Sequence, residues 1–406
     1  MKLTVLGGAL ALLFTLAAPA GAQETPQWLK EARARESTLA EPKAVVSEDG
    51  WLRTKVPGEV KQRPVLEGGG YSVGIDLGGT TVLCEVMRGA RDLAAFLTQT
   101  AALSFEEIEK LNGTVEARVL EASDAGSVGP HPFLSLQWLY RANRKGEVRV
   151  GALKQYIVSL DDAVIYCAHD DLGYVKSFDA VTRAMTTHFE SSDAPLPQPY
   201  FREVSVVSMD GTKVGVAATT MTRDADGDTQ VVTRSALLLQ RTPGQLVSQD
   251  VSDVQWVRPD GSLINAVQAK GSDGQLSEEM SLQLDDERWR ARGTIQGKPI
   301  DVVLPAAPSS YVLLARARKQ LMAQAEPLGT ATEGMTWSSL DLTRLLPTRA
   351  TVLAPAGADG VAVREEIGGV AIQAVLDKQT GTMISARIPV GPRSLNFERI
   401  VKQGEF

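Results

Sequence analysis

Asp-Gly pairs punctuate the middle of this chain at short intervals, and they constrain its fold more than any other feature. Asp210-Gly211 and Asp226-Gly227 separate strand-like runs from Phe201 to Met209, Lys213 to Thr222 and Thr229 to Gln240, and Asp260-Gly261 follows the run from Gln245 to Val257. Such pairs accept the positive φ that tight hairpin turns demand, so the runs on either side fold back on each other. Gln296-Gly297-Lys298, between Trp289–Ile295 and Ile300–Leu304, reads the same way, as does Gly368-Gly369 between Val361–Ile367 and Val370–Leu376. Parallel pairing needs a crossover of a dozen or more residues, and this spacing leaves no room for one. Antiparallel meanders follow.

Elsewhere helices alternate with strands. Thr25-Pro26 predicts a short helix with Thr25 as N-cap and Pro26 in the first helical position. Residues 40–70 are irregular and end in Gly68-Gly69-Gly70, which reads as a flexible connecting arm. Helical spacing predicts further helices over Arg88–Thr100, Ser104–Leu111, Ser177–Ser191 (Ser177 as N-cap) and Ser309–Ala325, the last with Leu313, Leu314, Ala317 and Leu321 on one side. Strands are expected around Val115–Val119, over Phe133–Tyr140 and Glu147–Leu160, and again over Arg349–Leu353, Met383–Pro389 and Leu395–Lys402. The fold class is α+β: predominantly antiparallel curved β-sheets, built as meanders and hairpins, with a few helices packed on one side. The expected organisation is a leader over 1–22, an N-terminal helix and arm over 23–70, an α+β domain over 71–195, a β-meander region over 196–305, and a helix plus β-meander region over 306–406. The Pro-rich stretch from Asp193 to Pro199 is the expected linker.

The first residues bear on location. Met1-Lys2, an apolar stretch from Leu3 to Ala18, and Ala20-Gly21-Ala22 before Gln23 form the three-part pattern of a secretory leader cleaved near Ala22. Pro19 and Gly21 interrupt the stretch before the roughly 20 residues that span a bilayer. No cysteine lies at the cleavage point to take a lipid, and no transmembrane segment is expected in the mature chain. A periplasmic or secreted address is therefore expected. With 42 Lys+Arg against 49 Asp+Glu and no basic run, the chain lacks the cationic face a nucleic-acid binder needs.

Export changes the meaning of the cysteines. Cys84 and Cys167 each sit in a β-branched run, and in an oxidising compartment two thiols of one domain are expected to pair. Two buried free thiols are the plain alternative. A metal site of both cysteines with His169, Asp170 and Asp171 would lose its soft ligands to a bridge.

Three motifs carry chemistry elsewhere. Val73-Gly74-Ile75-Asp76-Leu77-Gly78-Gly79-Thr80-Thr81 resembles the first phosphate loop of the sugar-kinase, actin and Hsp70 superfamily, particularly the ROK sugar kinases, which implies an Asp and a glycine pair beside metal-bound phosphates. The second phosphate loop and the adenosine-binding Gly-Gly of that family are not assignable here, and its zinc cysteine cluster is absent, so the segment reads as a hairpin turn. Asp224, Asp226 and Asp228 alternate as in a calcium loop, but Thr229 and Ser235 stand where an EF-hand needs Gly and a bidentate Glu. Asp377-Lys378-Gln379-Thr380-Gly381-Thr382 carries one residue too many for the phosphorylation motif of P-type pumps and reads as a hairpin tip.

No Gly-x-Ser-x-Gly elbow is present. Of the three histidines, His131 and His188 read as structural or exposed; His169 with Asp170 and Asp171 is the one cluster suited to metal or proton chemistry. Glu365-Glu366 and Glu278-Glu279 read as solvated surface charge. Curved sheets with helices over one face can hold a groove, as periplasmic lipoprotein carriers do, and the low aromatic content suits an aliphatic lining. The leading expectation is an exported, non-enzymatic protein, needing no cofactor, that binds an apolar ligand or a partner protein. The alternatives are an envelope hydrolase or metal-dependent enzyme using His169, Asp170 and Asp171, and a structural surface component acting through sheet edges.

Overall fold

The computed structural model describes residues 26–64, 69–89, 105–192, 198–242, 245–272, 275–324 and 328–405. The leader, Thr25, Ser104, almost all of the helix expected over Arg88–Thr100, and most of the expected linker lie outside them.

The chain opens with α1 (Gln27–Arg33), β1 (Lys43–Val46), β2 (Leu52–Val56), β3 (Glu59–Pro64), β4 (Gly70–Asp76) and β5 (Thr81–Arg88). Helix α2 covers residues 105–112. It leads into β6 (Thr114–Val128), β7 (His131–Arg144), β8 (Glu147–Ser159), β9 (Ala163–Asp170), α3 (Val175–Thr187) and β10 (Glu190–Ser191). Then come β11 (Phe201–Met209), β12 (Thr212–Arg223), β13 (Thr229–Thr242), β14 (Gln245–Val257), β15 (Leu263–Ser272), β16 (Gln275–Asp285), β17 (Arg288–Ile295) and β18 (Lys298–Leu304). Helix α4 (Tyr311–Met322) precedes β19 (Ala331–Ser338), β20 (Asp341–Ala356), β21 (Gly360–Ile367), β22 (Val370–Asp377), β23 (Met383–Val390) and β24 (Arg393–Gly404).

These strands form three antiparallel sheets. A 7-stranded sheet runs β3-β4-β5-β9-β8-β7-β6, and a 3-stranded one runs β1-β2-β10. The largest has 14 strands: β11 to β18 meander in one direction, β24 back to β19 in the other, and β24 pairs with β11 to join the two runs. The turns are those the sequence marks, with Asp210 and Gly211 at φ 51° and 80° between β11 and β12.

Packing follows strand alternation. On one face of the 7-stranded sheet, Phe178, Val181 and Met185 of α3 cover Val73, Ile75, Cys84 and Cys167. On the other face, Leu136, Trp138 and Ile157 meet Val206, Val216, Ala236 and Leu238 of the large sheet, so one apolar cluster joins the two. The large sheet curls. Leu304 near one edge and Trp337, Leu342 and Leu345 near the other share a single core with Phe201, Met221 and Met280. Each such buried side chain contributes about 1.5–3 kcal/mol.

Local expectations failed where a distant group did the work. Residues 40–70 are not simply an arm, because β1 and β2 pair with each other, β2 takes β10, and β3 forms an edge of the 7-stranded sheet. Helix α1 starts at Gln27, with Pro26 at its cap rather than inside it. Ser177 lies in the first turn of α3, whose N-cap is Tyr174 in left-handed geometry. The orphan N–H groups of Lys176 and Ser177 instead donate to the Glu36 carboxylate at 3.0 and 2.9 Å, an acceptor 140 residues upstream. In α4 the buried side chains are Val312, Ala315, Leu321 and Met322, while Leu313 is exposed.

Candidate ligand-binding site

Helix α4 sits on the concave face of the large sheet. Its N-cap Ser310 accepts from Leu313 N–H at 3.1 Å and donates to the Gly261 carbonyl at 2.6 Å. The Tyr311 N–H donates to Gln255 Oε1 at 2.8 Å, and its hydroxyl donates to Glu203 Oε1 at 2.9 Å. Further along, Arg318 pairs with Glu365 of β21, and Gly381 lies so close that a Cβ there would meet the Ala315 carbonyl. The helix is thus pinned to strands from both arms of the meander, and its two sides face two separate cavities.

The larger cavity, about 750 Å³, opens where Val312, Arg316 and Lys319 of α4 face the turns after β12 and β14. Tyr200, Val257, Pro259 and Val312 give it apolar walls, and Arg223, Arg258, Arg316 and Lys319 stand around it with Glu405, while the nearby Asp260 carboxyl is held below its usual range by Ser262 and, to a lesser degree, by Arg258 and Arg316. Arg223 lies 4.7 Å over the Tyr200 ring. Arg316 donates to the carbonyls of Asp260 and Pro259 at 2.8 and 3.2 Å, and Arg258 to Ser262 Oγ and the Leu263 carbonyl, both at 3.4 Å. Among the described residues none of these four cations is within ion-pair distance of a carboxylate. Cationic groups held by neutral partners around an apolar floor can take a ligand that has both a negative charge and a hydrocarbon part.

Under α4 the concave face also carries a row of polar side chains. Lys402, Glu203, Thr219, Thr233, Asp253 and Gln268 stand directly opposite one another on β24, β11, β12, β13, β14 and β15. Residues paired in register point to the same side of a sheet, so the six form one line across it. At one end Glu203 meets Tyr311 and faces Arg399, which donates to Asp377 at 2.7 Å; Lys402 donates to Asp377 at 2.8 Å. Those cations hold the Asp377 carboxyl down at about 2 against the opposing effect of burial. In the middle Thr219 and Thr233 hydroxyls are 3.3 Å apart. Local sequence shows none of this, since the register between β11 and β12 shifts at Val207/Ser208 and each such shift moves a residue to the opposite face.

The residues singled out from sequence occupy other places. His169 and Asp170 are consecutive on β9 and point to opposite faces. His169 is buried between Tyr174 and Phe178, its Nε2 2.7 Å from Thr80 Oγ1. Burial, reinforced by the Lys154 ammonium, pushes it down to about 4, so it is a neutral core histidine at neutral pH. Asp170 accepts from the Tyr140 hydroxyl at 2.6 Å and from Asn112 at 3.3 Å, and Asp171 from Arg35 and Gly173 N–H, both at 2.8 Å. The three do not converge.

Asp76 spends one carboxylate oxygen on the N–H groups of Gly78 and Gly79, at 2.7 and 3.3 Å, closing the β4–β5 hairpin. Asp224 does the same for Asp226 and Asp228, at 3.0 and 2.9 Å. No metal-binding cluster occurs among the described residues. Cys84 and Cys167 stand opposite each other on β5 and β9 and form a disulfide. Glu365 is buried against Arg318 rather than solvated, because it faces the helix.

No family model matches the chain, and neither does any curated protein. Among solved structures, a β-barrel-like protein of the domain of unknown function DUF1849 from Brucella abortus is similar over 51% of this chain and 98% of its own, at 12% identity and a TM-score of 0.39. A DUF1089 family protein from Pseudomonas aeruginosa is similar over 48% of this chain and 94% of its own, at 17% identity and a TM-score of 0.24. Likenesses this loose say nothing about ligand or activity.

Proposed function

We propose that the chain is an exported binding protein that takes an amphiphile with an anionic group in the cleft beside α4. The observation that carries this reading is the pairing of apolar walls with four cations, Arg223, Arg258, Arg316 and Lys319, that have no carboxylate in ion-pair contact among the described residues. A volume of about 750 Å³ lies within the ordinary range of small-molecule sites. The leader pattern over residues 1–22 and the bridge between Cys84 and Cys167 support export into an oxidising compartment. Among the described residues no helix is long and apolar enough to cross a membrane. The hydrolase or metal-enzyme alternative gains no support from His169, Asp170 and Asp171, whose side chains are held apart.

Sodium dodecanoate titrated into the full chain by calorimetry tests the reading. Saturable binding is expected, with the double variant R316E/K319E weaker by at least about tenfold and dodecan-1-ol weaker than dodecanoate. Dodecanoate binding indifferent to that charge reversal overturns it. Export is read separately from protein recovered from the envelope fraction, whose mass should correspond to a chain beginning at Gln23.

A further inference from the structure

The second cavity, about 220 Å³, lies on the other side of α4, and none of the residues lining it lines the cationic cleft. Asp253 and Gln268, at the end of the polar row, form part of its wall. Two acceptors there lack donors. Asp253 Oδ1 and Gln268 Oε1 are both shielded from solvent and make no hydrogen bond among the described residues. The other functional atoms are occupied: Gln255 Nε2 donates to Asp253 Oδ2 at 3.1 Å, and Gln268 Nε2 to the Trp337 carbonyl at 3.0 Å. No ion pair to Asp253 exists among the described residues. The cation on the opposite wall, Arg318, is already paired with Glu365. The cavity therefore carries one uncompensated acidic group, with Val251, Leu314, Trp337 and Ile367 as apolar patches in a wall that also holds Thr233, Ser235 and Thr348.

A shielded carboxyl with an unused acceptor beside a second unused acceptor is costly in an empty site, and a ligand bringing N–H donors with a positive charge relieves the cost. We propose that this cavity binds a small organic ammonium ion, the –NH₃⁺ group donating to Asp253 Oδ1 and Gln268 Oε1 and its short hydrocarbon part lying against Leu314, Trp337 and Ile367. A calcium ion is disfavoured because, among the described residues lining the cavity, Asp253 is the one carboxylate. This site does not rest on the amphiphile reading of the cleft.

The test uses n-butylammonium chloride titrated into the full chain at pH 8 by calorimetry. Butan-1-ol serves as the uncharged probe of similar shape, and calcium chloride as the competing cation. Wild-type protein should bind butylammonium saturably, butan-1-ol at least about tenfold more weakly, and calcium should not displace the ammonium. Asp253→Asn is nearly isosteric, and Gln268→Leu removes the second acceptor; each should weaken butylammonium about tenfold or more while the thermal midpoint confirms folding. R316E/K319E should leave it unchanged, which separates this site from the cleft. Binding that does not saturate, that butan-1-ol matches, that calcium displaces, or that survives Asp253→Asn overturns the proposal.

Discussion

At single residues, burial turns ordinary ionisable groups into terms that oppose each other in pH. Burial pushes Asp253 up to about 7, against the Gln255 amide that donates to it. The folded chain thus keeps a proton that the unfolded chain releases near pH 4, so this group's contribution to stability falls as pH rises from about 4 to 7. His169, held down at about 4, works the other way: below about pH 6.5 the unfolded chain takes up a proton that the folded chain refuses, and stability falls as pH drops. Asp253→Asn removes one slope and leaves the other. Urea unfolding at pH 4.5, 6 and 7.5 should show the variant gaining on wild type as pH rises, by about 1.4 kcal/mol per pH unit at most. A constant difference would mean that Asp253 is already ionised. Sequence made His169 conspicuous because histidines are rare here, yet it gave Asp253 no mark. In the run Val251-Ser252-Asp253-Val254-Gln255-Trp256-Val257, alternation offers two faces of similar polarity, and Asp253 and Gln255 take the inner one.

At the level of elements, the bridge and the long-range cap show how segments are held by partners far along the chain. Cys84 and Cys167 are fully buried and link β5 to β9 across 83 residues. Closing a loop of that length removes unfolded-state entropy worth roughly 4.5 kcal/mol at 25 °C. The double variant C84A/C167A should therefore unfold at a lower denaturant midpoint, by about 2–5 kcal/mol, and wild type should show no reactive thiol, folded or denatured, until it is reduced. Equal midpoints for the two proteins would remove the bridge from the list of stabilising contacts. The bridge was legible, because two cysteines in strand-like runs leave one pairing. The Glu36 cap on α3 was not, since capping rules read neighbours and this carboxylate comes from outside the helix.

At the scale of the molecule, the two larger of the three sheets share one apolar joint. Leu136, Trp138 and Ile157 from one sheet pack with Val206, Val216, Ala236 and Leu238 from the other, so neither sheet buries that face alone. Unfolding should be a single calorimetric transition, with coincident tryptophan fluorescence and far-UV circular dichroism. Two resolved transitions would show that the joint is too weak to couple them. The 14-stranded sheet also takes strands from both sides of α4, and this is what places the helix over a concave surface.

Strand content, antiparallel connectivity and most hairpin turns were written locally, because a turn depends on the φ that Asp-Gly and Gly-Gly allow and a strand on the alternation of its own residues. The pairing of β24 with β11, the curl that brings Leu304 into one core with Trp337, and the alignment of Lys402, Glu203, Thr219, Thr233, Asp253 and Gln268 were not. Each depends on register between strands that lie apart in the chain, and a shift of one residue reverses every side chain beyond it. Strand and turn formation is largely local in this protein, whereas its cavities are made by long-range register.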